Sequence, residues 1–83
     1  MQVKIRVNSL KRLPERGATE EEVIETIRHG ESFPAKYGRS GFRHNFAFNK
    51  IWNGKTFQNK HIEAFAVQEN DYWMVNTVIV KYF

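Results

Sequence analysis

The second half of the chain alternates apolar and polar residues, and this pattern constrains the fold more than any other feature. Over residues 42–49, an aromatic or histidine side chain occupies every second position, which is the period of a strand with one buried face. Asn53-Gly54 is typical of a two-residue hairpin turn, and Asn70-Asp71 indicates a second turn. Residues 72–82 are apolar at odd and even positions alike, which predicts a strand inside the sheet.

A helix is predicted over residues 19–29 by signals at both of its ends. Thr19 and Glu22 have the spacing of a capping box, in which each side chain bonds the other residue's backbone amide. The apolar residues between them and Gly30 fall on one helical face, and glycine is a common helix terminator. This helix is the best-defined element of the N-terminal part.

The first 18 residues predict a short strand and a short helix. Residues 3–7 alternate apolar and basic side chains, as in a half-buried strand. Ser9 is a candidate helix cap, and Pro14 and Gly17 limit the helix that follows. The predicted fold class is therefore α+β, with a short N-terminal strand and helices followed by a mostly antiparallel sheet of about four strands.

The length of the chain bounds its organisation. Its 83 residues are enough for one domain and too few for two, so residues 1–83 are treated as a single domain. Cysteine is absent, which excludes disulfides and thiolate metal sites and fits a reducing compartment. No apolar run approaches the roughly 18 residues of a membrane span, and the first residues lack the apolar centre of a signal peptide. We therefore expect a cytoplasmic protein that does not enter a membrane.

The charged residues are segregated along the chain, whose net charge is +4. Residues 20–31 carry five glutamates and one arginine, whereas residues 36–60 carry six lysines and arginines and no acid. Aromatic residues interleave with these cations, as in surfaces that stack on single-stranded RNA, although a packed sheet face has the same spacing. The alternative to RNA binding is a solvated face that keeps the protein soluble. The predicted RNA-binding residues are Lys36, Arg39, Lys50 and Lys55.

Several short motifs occur together in this chain. The N-terminal motif is Glu15-Arg16-Gly17-Ala18-Thr19, followed by Glu22-Val23-Ile24-Glu25-Thr26-Ile27 and Gly30. The downstream motifs are Phe42-Arg43-x-Asn45-Phe46-x-Phe48-Asn49, Trp52-x-Gly54-Lys55, Lys60, Val75-x-Thr77-Val78 and Tyr82-Phe83. Over nearly the whole chain, these motifs resemble the bacterial domain-of-unknown-function family 4258, in a branch common in cyanobacteria.

That family is similar, in its order of helices and then sheet, to the metal-independent ribonuclease superfamily of barnase, EndoU, certain colicins and RelE-type toxins. The resemblance implies an RNase-like toxin component of a toxin–antitoxin-type pair, with RNA as substrate and a cognate antitoxin-like protein as partner. Many relatives carry a histidine where this chain has Asn8. If that histidine is the catalytic base, this chain lacks it, and the alternative is a non-catalytic RNA- or protein-binding module. A third hypothesis is a partner-stabilised interaction protein with no nucleic-acid role.

RNA cleavage without a metal needs a base, an acid and cations that stabilise the charged transition state. The candidate catalytic cations are Arg43 and Lys60, each inside a predicted strand and flanked by apolar or aromatic residues. Because the two strands are neighbours, we expect both cations to reach one phosphate. Thr77 is the candidate hydroxyl that orients this phosphate. The alternative for Arg43 and Lys60 is that their side chains simply extend to water. The alternative for Thr77 is that threonine occurs there because of its high strand propensity.

The three histidines are weaker candidates. His44 and His61 lie on adjacent predicted strands and are the candidate base–acid pair, since histidine titrates near neutrality. The alternative is a pair of ordinary sheet histidines, and His29 is favoured simply by the helix C-terminus at which it lies. The histidines and the single aspartate lack the spacing of common metal sites, so no metal or cofactor is expected. Glu15 and Arg16 are expected to form a structural ion pair.

Overall fold

The computed structural model describes residues 1–83 as two helices and five strands. The strands are β1 (Gln2–Ile5), β2 (Glu31–Pro34), β3 (Ser40–Trp52), β4 (Lys55–Glu69) and β5 (Tyr72–Tyr82). The helices α1 (Val7–Arg16) and α2 (Glu20–His29) separate β1 from β2. Each helix has ten residues, and neither is long and apolar enough to cross a membrane. The predicted α+β class is confirmed.

The five strands form one sheet in the order β1-β5-β4-β3-β2. Three pairings are antiparallel, including the hairpin predicted at Asn53-Gly54, and the pairing of β1 with β5 is parallel. The expected number of about four strands is therefore corrected to five. The two edge strands, β1 and β2, are both short. Pro34 is tolerated because it lies at the end of the edge strand β2. β5 lies inside the sheet, as predicted, although β4 is its central strand.

The capping box predicted for α2 is present. The Thr19 hydroxyl accepts a hydrogen bond from the Glu22 amide at 3.1 Å, and the Glu22 carboxylate accepts one from the Thr19 amide at 3.0 Å. Val23 and Ile27 are buried against the sheet. Thr26 is also buried, but its hydroxyl donates to the Glu22 carbonyl at 2.8 Å, so no polar atom is left unsatisfied.

Helix α1 continues through Pro14 to Arg16, and Gly17 caps its C-terminal end. Glycine adopts the left-handed conformation there, with φ +73°, and its amide bonds the Pro14 carbonyl. The Ala18 amide bonds the Leu13 carbonyl at 3.0 Å, so two of the last carbonyls of the helix are satisfied. A side chain at Gly17 would also collide with Tyr82, because a Cβ there would lie 2.2 Å from the tyrosine hydroxyl. The tight connection between the helices therefore requires glycine.

Both helices pack on the same face of the sheet, and the core lies between the two layers. Its residues are Leu13, Ala18, Val23, Ile27, Phe42, Ile62, Ala64, Ala66, Val75 and Val78. The opposite face, called here the open face, is covered by no helix. At the centre of the sheet, the open face carries the alternate residues of β3 and β4, namely Arg43, Asn45, His61, Glu63 and Phe65.

A bulge at Asn76 changes the alternation of β5. Asn76 is the one residue in this stretch without a partner on β4, and the register shifts across it. Val75 and Val78 are consequently both buried beneath the helices, whereas strict alternation would place them on opposite faces. The residues of β5 on the open face are therefore Tyr72, Met74, Thr77, Ile79 and Lys81.

Replacing Thr19 by alanine is expected to lower the free energy of unfolding by about 1 kcal/mol, because the Glu22 amide loses its capping acceptor. Chemical denaturation measures this loss. Thr19→Ser keeps the hydroxyl and is the matched control, with a stability close to that of the parent. Equal stability of Thr19→Ala and Thr19→Ser would show that the capping hydrogen bond contributes nothing.

Candidate functional site

Lys60, one of the predicted catalytic cations, is buried between the sheet and the helices. Its ammonium group donates to both carboxylate oxygens of Glu22 at 3.0 Å and to the Gly17 carbonyl at 2.7 Å. The Phe48 ring lies 5.1 Å from the same nitrogen. A lysine has three N–H donors, and these contacts use all of them. Lys60 therefore ties β4 to the helices and has no free donor for a phosphate.

Arg43, the second predicted catalytic cation, is exposed on the open face. Its guanidinium forms an ion pair with Glu31 and lies 5.0 Å from the centre of the Phe33 ring. In the β3–β4 register Arg43 lies opposite Glu63. Lys60 lies on β4 three residues before Glu63, an odd number, and therefore points to the other face, towards the helices. The structure does not bring the two cations together, because they lie on opposite faces of the sheet.

The two strand histidines are separated in the same way. His44 lies on the helix-covered face, where its ring packs against Phe46. His61 lies on the open face, with one ring nitrogen 2.6 Å from the Asn45 amide oxygen and the other 2.9 Å from a Glu63 carboxylate oxygen. Both histidines border an open pocket of about 440 Å³ beside Arg43, but the register directs their imidazoles to opposite faces of the sheet, so they do not form a base–acid pair.

The four predicted RNA-binding residues form two separate groups. Lys36 and Arg39 lie in the connection between β2 and β3, whereas Lys50 and Lys55 flank the hairpin turn at the other end of β3. Ten residues of extended chain separate Ser40 from Lys50, a distance of about 30 Å. These cations therefore do not make one continuous basic surface.

None of the basic residues of α1 forms an ion pair, a property that they share with the strand lysines Lys4, Lys50, Lys55 and Lys81. The three ion pairs of the protein join Arg43 to Glu31, Lys60 to Glu22 and His61 to Glu63. Residues 6–16 contain four cations and one carboxylate. The expected ion pair between Glu15 and Arg16 does not form; the Arg16 guanidinium donates instead to the Val78 carbonyl of β5. The densest run of cations without an acidic partner therefore lies along residues 6–16, which are α1 and the residue before it.

A cleft of about 260 Å³ lies between α1 and the edge of β5. β1 pairs with β5 only as far as Val75, and the backbone beyond that point is exposed to α1. Only one apolar residue lines the cleft, and no carboxylate or histidine does. The helix contributes Asn8, Ser9, Arg12 and Arg16, and β5 contributes Asn76, Thr77 and Val78.

Hydrogen bonds fasten α1 to this edge of β5. The Ser9 hydroxyl donates to the Asn76 carbonyl at 2.5 Å, and the Arg6 guanidinium donates to the Asn76 side-chain oxygen. Arg16 uses one of its five N–H groups on the Val78 carbonyl, so others are left for a ligand. Arg12 makes no side-chain hydrogen bond or ion pair within the chain. The arrangement suits an anion, which two guanidinium groups and neutral polar groups would surround.

An aromatic cluster holds the C-terminal end of α1. The Tyr82 hydroxyl donates to the Arg16 carbonyl at 2.6 Å, and burial raises the pKa of this tyrosine, so the donor stays protonated at neutral pH. The Trp52 ring stacks on Tyr82 with centroids 5.0 Å apart, and Phe48 and Phe57 pack around them. Of the two alternatives that the sequence leaves open for Phe48, Trp52 and Phe57, the structure shows packing: these rings pack around Tyr82, which holds the Arg16 carbonyl.

Of the predicted catalytic residues, the cleft contains only Thr77, together with Asn8, the position at which the resemblance implies a histidine. Sequence reasoning did not assign Arg12 and Arg16 to a binding site. A signal for them exists: Asn8, Arg12 and Arg16 are spaced by four residues, which places them on one side of a helix. Their convergence with the β5 edge depends on tertiary packing and has no signature in the sequence.

No family model, curated protein or solved structure matches this chain. The resemblance to family 4258 therefore stays a prediction from motifs, and the function is argued from the geometry of the cleft. The structure also contains no group of three or more histidine, cysteine, aspartate or glutamate residues that could hold a metal ion.

Lys60→Met is expected to lower the free energy of unfolding by about 2–4 kcal/mol, because Glu22 would lose its cation while staying mostly buried. The cost lies below that of a fully buried pair, since the Glu22 side chain is 23% exposed. Denaturant titration of this variant and of Lys50→Met, which alters an exposed lysine, measures the difference. An equal, small loss in both variants would refute a structural role for the buried ammonium.

Proposed function

We propose that this protein is a non-catalytic RNA-binding module that holds RNA phosphates in the cleft between α1 and β5. The observation that carries the proposal is an acid-free cleft in which Arg12 and Arg16 lie on one side and polar groups of β5 on the other. Arginine is suited to phosphate because its planar guanidinium donates two parallel hydrogen bonds to one anion.

The distribution of charge supports binding at α1 rather than on the sheet. On the sheet, Arg43 and Lys60 are each paired with a carboxylate, so an RNA phosphate would have to compete with an existing partner. On α1, four cations face one carboxylate within residues 6–16. Uncompensated cations gain most from phosphate, because binding releases counterions from the nucleic acid.

The composition of the cleft supports binding without cleavage. Cleavage needs a group that accepts the 2′-hydroxyl proton, and neither histidine nor carboxylate lines the cleft. Asn8 has an amide, which does not titrate and cannot serve as this base. Both strand histidines lie on β3 and β4, away from α1.

A second candidate function is metal-independent RNA cleavage by an RNase-like toxin component, held inactive by a cognate antitoxin-like protein. One observation favours it: Asn8, at the position where relatives carry a histidine, lines the same cleft as Arg12, Arg16 and Thr77. A histidine at this position would face the proposed phosphate site. On this view the general base is a residue other than Asn8. Both candidates place the protein in the cytoplasm, where RNA is accessible.

Arg12→Gln is expected to weaken RNA binding about ten-fold, because one charged hydrogen bond to phosphate is lost. It should also reduce the slope of log affinity against log salt by about one. Fluorescence anisotropy of a labelled RNA, measured at several salt concentrations, gives both quantities. Lys36→Gln is the matched control: it removes one exposed cation outside the cleft, and its affinity should stay close to that of the parent.

Two results would contradict this proposal. Absence of RNA binding by the parent at low salt would remove RNA as the ligand. Equal effects of Arg12→Gln and Lys36→Gln would show that binding depends on overall charge and not on the cleft.

Asn8→His is expected to confer RNA cleavage in the presence of a chelator, whereas the parent binds RNA and leaves it intact. The imidazole would supply the missing base beside the two arginines. Lys11→His, which places a histidine on α1 outside the cleft, is the control and should remain inactive. Gel analysis of a labelled RNA measures cleavage. Cleavage by the parent would reject the non-catalytic proposal and favour the second candidate. An Asn8→His variant that folds and binds RNA without cleaving it would show that a base at this position is not what the cleft lacks.

A further inference from the structure

The open face of the sheet carries a band of apolar side chains that no part of the chain covers. The strand register places Phe33, Phe65 and Thr77 in one row, with Gly41 between the two aromatic residues. The Phe33 ring packs over Gly41, where a Cβ would lie 2.3 Å from it, and meets Phe65 edge-on at 5.8 Å. The band is therefore a packed surface that runs from β2 to β5.

Apolar residues extend this band beyond the central row. Val67 and Met74 form the neighbouring row on one side, and Ile79 lies next to the central row on the other. Ile79 is 37% exposed, and the other members are partly exposed. Contiguous apolar patches of this kind mark sites of interaction with another molecule.

The charges around the band cancel, although the chain as a whole has a net charge of +4. The register places three cations and three carboxylates on the open face, at both ends of the band. They are Lys4, Arg43 and Lys81 with Glu31, Glu63 and Glu69. A neutral surface does not attract RNA, and a strongly acidic protein would favour the cations of α1 instead.

We propose that two copies of this chain associate through their open faces, around a two-fold axis. A two-fold interface brings the same patch of each copy together, so the patch must complement itself. A neutral face with mixed charges meets its own copy without net repulsion, whereas the basic α1 surfaces would repel each other. The same contact removes the apolar band of both copies from water.

The size of the open face reaches the lower limit for a specific dimer. The three long strands extend over about 27 Å and the two four-residue edge strands over about 13 Å, with about 4.8 Å between neighbouring strands. The face therefore offers about 500 Å² per copy, or about 1,000 Å² in total, which is the size that a biological interface has to reach. Two such faces would pack as a β-sandwich about 10 Å apart, with the RNA-binding clefts left free outside.

The mass of the parent in solution, measured by light scattering over a range of concentrations, tests the proposal. We expect the mass of two chains at high concentration. Ile79→Lys should weaken the dimer at least about ten-fold, because it replaces an apolar contact of each copy by a charged side chain that the interface would have to desolvate. Ile51→Lys is the matched control: Ile51 is 70% exposed near the hairpin turn, and its substitution should leave the dimer unchanged. Circular dichroism confirms that both variants fold.

Cross-linking provides a second measurement, because the chain has no cysteine. A bismaleimide should join two copies of Ile79→Cys and should not join copies of Ile51→Cys. A parent that stays monomeric at high concentration would overturn the proposal, as would a dimer that Ile79→Lys leaves intact. RNA binding by Ile79→Lys should equal that of the parent, so failure of the dimer and failure of the RNA-binding proposal are distinguishable.

Discussion

The buried ammonium group of Lys60 joins the parts of the structure on which the site depends. It contacts the Glu22 carboxylate at the start of α2 and the Gly17 carbonyl at the end of α1, while its own backbone lies in the central strand. Glu22 also closes the capping box with Thr19, so one carboxylate both starts α2 and anchors it to β4. The position of α1 over β5 follows from this contact and from the Tyr82 hydroxyl that bonds the Arg16 carbonyl.

The same packing sorts the charges of the protein into two classes. The two cations at the centre of the sheet are paired: Lys60 lies with Glu22 and Arg43 with Glu31, whereas the other strand lysines are unpaired and scattered over the sheet. Cations on α1 have no acidic partner, and the helix presents them beside the only stretch of β5 backbone that β1 leaves free. The helix-covered side therefore carries the proposed phosphate site, whereas the neutral, partly apolar open face carries the proposed contact with a second copy of the chain. The two proposed surfaces share Thr77, but the arginines of α1 lie on the opposite side of the sheet from the open face, so both surfaces can act at the same time.

Local signals in the sequence predicted the fold well and the site poorly. The capping box, the Asn53-Gly54 turn and the period-two pattern act over a few residues, and each is found where it was predicted. The faces of individual strand residues depend on register, and neighbouring strands alone did not reveal that Arg43 and Lys60 point to opposite sides. The bulge at Asn76 shifts the pattern by one residue without a sequence signal. The cleft joins residues 60 or more positions apart, which no local pattern encodes.

The most direct test of the account is an NMR titration of the isotopically labelled protein with a short RNA. Because every backbone amide except those of the prolines reports separately, one experiment locates the bound RNA along the whole chain. The account predicts the largest shifts at residues 8–16 and 76–78, with little change at residues 36–39 and 50–55 or on the open face. Shifts centred on residues 36–55, or spread evenly over all basic residues, would contradict the assignment of RNA to the α1–β5 cleft.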